Sequence, residues 1–528
     1  MVIGAGVSGI YQIKRLVDAG FDAELLEADD DLGGTWYRNR YPGCRFDSES
    51  YTYGYSFSQE LLDEWHWKEL FSSQPENLRY LGHVAETFDL RRHMRFNARV
   101  EQMIWDEDSC HWQLTLAGGE SYTARFVVAS LGPLSAPTLP QYDGMDHFEG
   151  ASFHTYSWPR EPVALAGRRV GVIGTGATGI QVIAAIAGEV AELKVFQRRP
   201  NWSSPLNNRP ISADEMTAIR ERYDEIFANC AASSGGFEHV PRWGFWDLTA
   251  DERRAIWDEL YTQPGFAILA ANFAEIFLDE AANEELSDYI ADRIRGRVHD
   301  PVIAEKLIPR DHGFGLQRLP LETNYFEVYN RDNVTLVDLS ETPIERVTPT
   351  GIQTTGDHHD LDVIVYATGF DAITGAYDRI DIRGVGGIRL AESWKDGPRT
   401  YLGLLTHGFP NLLMVAGPQS VSGSTNFPRA IETGVDWVTG LLEHAREHGQ
   451  QRLEAELDAE QGWRDEVVEA QERLLLRRSK GWFTGYNENV AGHDIVRYQA
   501  YFGGAPRYTA KIADVAANGY PGIRMISA

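Results

Sequence analysis

Short apolar runs lead into glycine-rich turns at two places in the chain, and helical spacing follows each turn. The first run, Met1-Val-Ile, precedes Gly4-Ala-Gly6-Val-Ser-Gly9. The second run, residues 169–173, precedes Gly174-Thr-Gly176-Ala-Thr-Gly179. A strand, a glycine turn and a helix in this order bind dinucleotides, because the helix N-terminus then faces the phosphates. The pattern predicts two such sites; a glycine turn in an unrelated α/β protein is the alternative.

The strand that follows each turn ends in a different kind of charge. Residues 21–27 form the predicted second strand of the first unit and end in Glu27, whose carboxylate accepts hydrogen bonds from ribose hydroxyls. Residues 192–196 are followed instead by Gln197-Arg198-Arg199. An arginine pairs with a 2′-phosphate that a carboxylate would repel. The second site is therefore predicted to prefer NADPH to NADH, unless Arg198 is only a solvated charge at the strand end.

The remaining patterns predict a mixture of strands and helices. Residues 101–128 alternate between apolar and polar positions, which predicts a β-meander. Residues 205–300 show helical spacing with two capping boxes, Ser212-Ala-Asp-Glu215 and Thr249-Ala-Asp-Glu252, and predict an inserted helical subdomain. Further patterns predict buried strands at residues 126–132 and 361–366. They also predict a long amphipathic helix at residues 426–448 and a charged helix at residues 456–478.

The composition limits the classes of function. A chain of 528 residues exceeds the size of one hydrophobic core, so two or three domains are expected. The formal net charge of -28 disfavours nucleic acid and anionic membranes as partners, since their phosphates would be repelled. Cys44, Cys110 and Cys230 are scattered and form neither a metal-ligand pair nor a disulfide framework, which favours a cytoplasmic location and predicts no metal.

Two longer motifs carry a resemblance to a known family. The pattern Phe-x-Gly-x-x-x-His-x-x-x-Trp-Pro is met just before the second glycine turn by Phe148, Gly150, His154, Trp158 and Pro159. A run of Gly-Gly-x-Trp that ends in Tyr-Pro-Gly-x-x-x-Asp is met from Gly33 to Asp47. With Ala-Thr-Gly at 367–369 and Trp482, the match covers essentially the whole chain. The sequence resembles the flavin-dependent Baeyer–Villiger monooxygenases, and residues 307–325 resemble the branch that includes cyclopentadecanone monooxygenase.

The resemblance implies an α/β fold with two Rossmann-like dinucleotide-binding domains and an inserted helical subdomain. The implied FAD-binding domain comprises residues 1–140 and 345–528. The implied NADPH-binding domain comprises residues 141–204 and 301–344, and residues 205–300 form the helical insertion.

The resemblance also assigns cofactor-binding residues. FAD is expected on Gly4, Gly6, Ser8, Gly9, Glu27, Thr35, Trp36, Asp47, Tyr53 and Val100. NADPH is expected on Gly174, Thr175, Gly176, Ala177, Thr178, Gly179, Ile180, Gln181, Arg198, Arg199 and Trp482, with Gln317 at a position where many members carry a cofactor-binding lysine.

In that family, reduced flavin captures O₂ as a C4a-peroxide, which attacks a ketone carbonyl, and the tetrahedral adduct rearranges to an ester or lactone. Arg318 matches the active-site arginine of the family. A permanently charged guanidinium stabilises an anionic peroxide without offering a labile proton, and Asp47 is the expected carboxylate partner that makes its burial tolerable. His154 is expected to hydrogen-bond backbone in the linker rather than to act chemically.

The implied substrates are O₂ and a bulky or cyclic ketone, and a monomer or weak homo-oligomer is expected. An N- or S-oxygenating flavin monooxygenase is the nearest alternative, since it shares both glycine turns; Trp158-Pro159 and Arg318 argue against it. A flavin disulfide reductase would need a cysteine pair soon after Glu27, where Cys44 stands alone. A non-enzymatic flavoprotein scaffold would bind FAD without transferring oxygen.

Overall fold

Two parallel sheets position the two glycine turns. The computed structural model describes residues 1–527, and within them the first sheet has five parallel strands. In spatial order they are Leu412–Met414, Val127–Ala129, Val2–Ile3, Leu25–Leu26 and Met94–Arg95. The predicted second strand over residues 21–27 is thus confined to Leu25–Leu26. Val2–Ile3 is central, so the first turn leaves the sheet at the carboxyl end of its middle strand, where open α/β sheets bind ligands.

The second sheet repeats this arrangement. Its parallel strands are, in spatial order, Val334–Asp338, Glu192–Gln197, Arg169–Ile173, Val363–Tyr366 and Ala151–His154. Arg169–Ile173 is again the middle strand, and Gly174 follows it directly. The α/β fold with two dinucleotide-type sheets is confirmed. Burial on both faces explains why residues 2–3 and 170–173 of the central strands are apolar.

One predicted domain boundary is wrong. The sequence placed the return to the first domain at residue 345, yet Val363–Tyr366 pairs with Arg169–Ile173 in the second sheet. The chain rejoins the first sheet only at Leu412–Met414. An apolar strand fits equally well between neighbours in either sheet, so the pattern of residues 361–366 could not specify its partner. The other domain limits stay predictions.

Within residues 1–527, two smaller sheets and two strand pairs accompany the two parallel sheets. The predicted meander is confirmed, and it gains a fourth strand from the far part of the chain: the order is Asp381–Arg383, Val100–Asp106, His111–Leu116 and Ser121–Ala124. A second antiparallel sheet contains Ile344–Thr348, Gly351–Thr354 and His358–Asp360. The two remaining pairs join Ser204–Pro205 with Leu321–Glu322 and Gln450–Ala455 with Ile523–Ser527.

Helices cover the sheets and build the insertion. The α-helices are Val7–Asp18, Thr35–Arg38, Ser50–Tyr53, Gln59–Glu64, Gln74–Thr87, Ala177–Ile186, Ala213–Glu221, Tyr223–Ala232, Ala250–Thr262, Ala267–Ala270, Glu280–Arg297, Pro301–Lys306, Gly375–Asp378, Leu390–Ser393, Phe427–Glu447, Leu457–Glu472 and Ala505–Ala517. The 3₁₀ turns are Leu90–His93, Met145–His147, Thr155–Ser157, Phe245–Asp247, Ala274–Phe277, Glu327–Asn330, Val385–Gly387, Val421–Gly423, Leu475–Arg478 and Trp482–Thr484. Residues 205–300 are therefore mainly helical, as predicted.

The two predicted capping boxes differ in the structure. Thr249 and Glu252 form both reciprocal hydrogen bonds of a capping box at the start of Ala250–Thr262. Ser212 caps Ala213–Glu221 through the backbone N–H of Glu215, but the Glu215 carboxylate instead accepts two hydrogen bonds from Arg209 at 2.7 and 2.8 Å. A nearby guanidinium competes for the same carboxylate, and the short motif does not include it.

The helix after the first glycine turn packs against the long amphipathic helix. Tyr11 donates a hydrogen bond to Asp436 at 2.8 Å, and the Gln12 amide donates to Thr439 at 3.1 Å in the buried interface. The predicted helix over residues 426–448 is confirmed as Phe427–Glu447, whereas the charged helix ends at Glu472 rather than residue 478. Across residues 1–527, no helix combines the length and apolar character needed to cross a bilayer.

Candidate active site

A large cavity lies between the carboxyl ends of the two parallel sheets and the helical insertion. Its volume is about 860 Å³, within the range of cofactor and ligand sites. The predicted site residues that line it are Gly4, Gly6, Ser8, Glu27, Thr35, Trp36, Asp47, Tyr53, Val100, Ala177, Thr178, Gln181, Gln317, Arg318 and Trp482. Segments that are hundreds of residues apart in the chain therefore meet in one space.

The other predicted residues lie outside the cavity lining. Gly9, Gly179 and Ile180 are in the helices that follow the turns, where they pack against the sheets. Gly174, Thr175 and Gly176 lie in the second turn beyond the cavity wall, and Arg198 and Arg199 are at the solvent-exposed end of the neighbouring strand. The predicted site residues therefore fall into two groups: those that face the cavity, and those that lie beside it or support the residues that face it.

Glu27 is held at the end of its strand by backbone donors. Its Oε2 atom accepts a hydrogen bond from the N–H of Ala5 at 2.6 Å, and Oε1 accepts from the N–H of Asp29 at 2.8 Å. Burial raises the pKa of this carboxyl group, and the Ala5 hydrogen bond opposes that rise. Each oxygen keeps a further lone pair, so the carboxylate remains able to accept hydroxyl hydrogen bonds from a ligand.

The first half of the cavity fits a flavin dinucleotide. Gly6 and Gly34 approach so closely that a Cβ on Gly34 would lie 2.9 Å from the Gly6 Cα, so only backbone faces the ligand there. Trp36 donates its indole N–H to the Tyr53 hydroxyl at 2.5 Å, which fixes both rings in the wall. Within residues 1–527 the buried Ser130 hydroxyl, at the cavity, has no hydrogen-bond partner. A ligand rich in polar groups would satisfy it.

Arg318 and Asp47 form the ion pair that the resemblance implied. Arg318 Nη2 lies 2.7 Å from Asp47 Oδ2, although the two residues are 271 positions apart. The guanidinium carbon is 5.1 Å from the centroid of the Phe266 ring, and Nη1 donates to the Leu319 carbonyl at 2.5 Å. The contact is confirmed. The guanidinium is thus fixed on one side by a carboxylate and on another by an aromatic face, while the cavity stays open beside it.

The second nucleotide unit joins the cavity through the start of its helix. The Gln181 amide donates to the Arg45 carbonyl at 3.1 Å, and its oxygen accepts from the Tyr41 hydroxyl at 2.9 Å. The Thr175 hydroxyl donates to the Arg199 carbonyl at 3.0 Å. The Gln181 bonds tie the helix after the second turn to the run that contains Asp47, and the Thr175 bond ties the turn itself to the end of the neighbouring strand. Tyr41 was missed as a site residue, although the Tyr-Pro-Gly motif contains it.

An apolar wall from the helical insertion lines part of the cavity. The residues of this wall are Phe237, Phe266, Leu269, Phe273, Phe277 and Leu278. Polar residues of the insertion also line the cavity, among them His239, whose Nε2 lies 3.3 Å from Glu49 Oε1. None of these residues was predicted, because helical spacing marks a buried face without showing whether a core or a cavity covers it.

His154 is buried as the last residue of the edge strand Ala151–His154, rather than in a linker, and lies outside the cavity lining. Its Nδ1 accepts a hydrogen bond from the backbone N–H of Tyr156 at 3.1 Å, and its ring meets Phe370 edge-on at 5.8 Å. Burial lowers the pKa of His154 from 6.5 to about 4. The expected hydrogen bond to backbone is confirmed, and the neutral ring is an acceptor there.

We expect His154 to make folding stability depend on pH. Between pH 6.5 and about 4, His154 is protonated in the unfolded chain but stays neutral in the folded protein. The free energy of unfolding therefore falls as pH falls through this window. The full effect is of the order of 3 kcal/mol. Chemical unfolding from pH 7.5 to 4 should show a shallower decline for His154→Asn, which keeps an acceptor without the titration. The exposed His147→Asn serves as control; equal slopes for His154→Asn and wild type would contradict the prediction.

Comparison with known proteins identifies the family. Residues 1–207 match the family model described as flavin-binding monooxygenase-like. The 2-oxo-Δ3-4,5,5-trimethylcyclopentenylacetyl-CoA monooxygenase of Pseudomonas putida is 45% identical, over 99% of this chain and 98% of that protein. A Baeyer–Villiger monooxygenase of Pseudooceanicola batsensis is 37% identical, over 98% and 95%. A crystal structure of OTEMO in complex with FAD and NADP superposes with a TM-score of 0.96 at 44% identity, covering 99% of this chain and 98% of that one. The chain belongs to the flavin-dependent Baeyer–Villiger monooxygenases.

Proposed function

We propose that this enzyme uses NADPH, FAD and O₂ to insert one oxygen atom beside the carbonyl of a bulky or cyclic ketone, which gives an ester or lactone. The observation that carries the proposal is the Arg318–Asp47 pair, which faces the same cavity as the first glycine turn and the apolar wall. A cytoplasmic location belongs to the same proposal.

The residues divide into three roles. The first glycine turn, Glu27 and the Trp36–Tyr53 pair would hold FAD, whereas the second turn and Arg198 would hold NADPH. Bound FAD, once reduced, supplies the activated oxygen. Arg318 would place a permanent positive charge where negative charge develops on oxygen, and Asp47 would fix its orientation.

The apolar wall supports the choice of substrate. Contact between these aromatic and aliphatic side chains and a ring of methylene groups buries apolar surface, which favours binding. The same side chains exclude water from the reacting carbonyl. Excluding water matters because a charged group acts over a longer range in a medium of low polarity. His239, which lines the cavity beside this wall, offers a polar contact for a substrate that carries a second polar group.

The proposal is tested with purified, FAD-loaded enzyme, NADPH, ¹⁸O₂, cyclic ketones of graded ring size and one thioether. We expect esters or lactones that carry one ¹⁸O atom, with one NADPH consumed per product, and mass spectrometry measures both. Parallel reactions with NADH should be slower. Sulfoxide formation without any ester across the whole series would contradict the proposal and favour the heteroatom-oxygenating class.

A further inference from the structure

A carboxylate from the C-terminal part of the chain lies among the basic residues at the end of the second nucleotide unit. Glu488 Oε2 lies 3.5 Å from Arg198 Nη1, and Glu488 Oε1 accepts a hydrogen bond from the Tyr486 hydroxyl at 2.9 Å. Arg198 directly follows the strand Glu192–Gln197, at the position that distinguishes the two nucleotide units. An anion is therefore already present beside the predicted phosphate-binding arginine.

Lys480 belongs to the same basic cluster. The Gln317 amide, at the cavity, donates to the Lys480 carbonyl at 3.1 Å, which anchors the backbone of this residue. The Lys480 ammonium lies 5.1 Å from the centroid of the Tyr486 ring, and Tyr486 in turn holds Glu488. The Tyr486 hydrogen bond and the charges of Arg199, Arg198 and Lys480 lower the pKa of Glu488. Arg198 thus pairs with the carboxylate, and the charges of Arg199 and Lys480 act on it as well.

The ion pair contributes little to the stability of the fold. The side chains of Arg198 and Glu488 are 54% and 39% exposed, and pairs with such exposure are worth little because water and salt screen them. Arg199 is similarly exposed and faces Asp311 at 3.8 Å. A phosphate carries more charge than a carboxylate and offers more acceptor oxygens, so it would compete successfully for the same cations.

We propose that Lys480 completes, with Arg198 and Arg199, the site for the 2′-phosphate of NADPH, and that Glu488 occupies this site as a competing anion which the cofactor displaces. The inference rests on the proposed use of NADPH and adds two specificity-determining residues to it. Lys480 increases affinity for the phosphorylated cofactor, whereas Glu488 reduces it. Because NADH lacks the phosphate, neither residue affects NADH in this way.

Calorimetric titration of the FAD-loaded enzyme with NADP⁺, NAD⁺ and adenosine 2′,5′-bisphosphate tests the inference without turnover. We expect Lys480→Ala to weaken binding of NADP⁺ and of the bisphosphate by about fivefold, and Glu488→Gln to strengthen both about two- to fivefold. Neither change should alter NAD⁺ binding. The increase in NADP⁺ affinity caused by Glu488→Gln should be smaller when Arg198 is also replaced by alanine, and smaller at high salt.

Lys395→Ala and Glu447→Gln are the matched controls, since both residues are exposed and lie in other parts of the chain. Unchanged NADP⁺ binding in Lys480→Ala, or weaker binding in Glu488→Gln, would overturn the inference while the wild-type preference for NADP⁺ still stands. Equal wild-type affinities for NADP⁺ and NAD⁺ would overturn the proposed choice of NADPH and the inference together.

Discussion

Replacing Arg318 with alanine is expected to reduce ester formation by about 10²–10³-fold while FAD stays bound. The guanidinium carries a permanent charge at the cavity, and the Asp47 carboxylate, at 2.7 Å, fixes its position. Its loss removes a preorganised positive charge at the point where oxygen becomes negative, and water cannot replace a charge in a fixed position. Product formation by mass spectrometry and the flavin absorbance spectrum together measure the two parts of this prediction.

Two companion variants separate charge from geometry. Arg318→Lys keeps a positive charge but has no planar fork to hold Asp47, so we expect intermediate activity. Asp47→Asn keeps the shape of the partner but weakens the pairing, and should reduce activity less than Arg318→Ala does. Arg310→Ala, at an exposed arginine away from this cavity, controls for general loss of charge. Ester formation by Arg318→Ala within about threefold of wild type would remove Arg318 from the proposed catalytic role.

The sequence predicted local units well because each unit is encoded within about thirty residues. Both strand–turn–helix units carry their own turn glycines and apolar runs, so their existence needs no long-range information. The Arg318–Asp47 contact is different. Its members are 271 residues apart, and no periodicity or spacing connects them; the family motifs predicted it because they carry information about tertiary structure.

The features that the sequence missed all depend on long-range packing. The strand Val363–Tyr366 carries an apolar run that either sheet could accept, and only pairing with Arg169–Ile173 decides its place. The apolar wall of the cavity has the same composition as a helix core. The approach of Glu488 to Arg198 joins a C-terminal turn to a strand end, and a charged residue in such a turn carries no local signal for its partner.

Replacing Gly9 with alanine is expected to have the largest effect on cofactor content. A Cβ at this position would lie 1.7 Å from the carbonyl oxygen of Gly4 and 3.4 Å from a methyl group of Leu25. The first obstacle is backbone and cannot rotate away, so the helix Val7–Asp18 would have to move away from the central strand of the first sheet. That movement would displace the helix N-terminus from the phosphates and break the packing of the helix. We expect most FAD to be lost on gel filtration, with a destabilisation of about 3 kcal/mol or more.

Gly82→Ala provides the matched control for this change. Gly82 lies inside the helix Gln74–Thr87, and within residues 1–527 a Cβ there would meet no atom within 4 Å apart from its chain neighbours and the nearby backbone of its own helix. Alanine has a higher helix propensity than glycine, so this variant should be as stable as wild type or up to about 1 kcal/mol more stable, with full FAD content. Thermal unfolding and the ratio of flavin to protein absorbance measure both variants. Because the two substitutions add the same methyl group to a helical glycine, retention of FAD by Gly9→Ala would show that close approach of helix and strand is not what holds the cofactor.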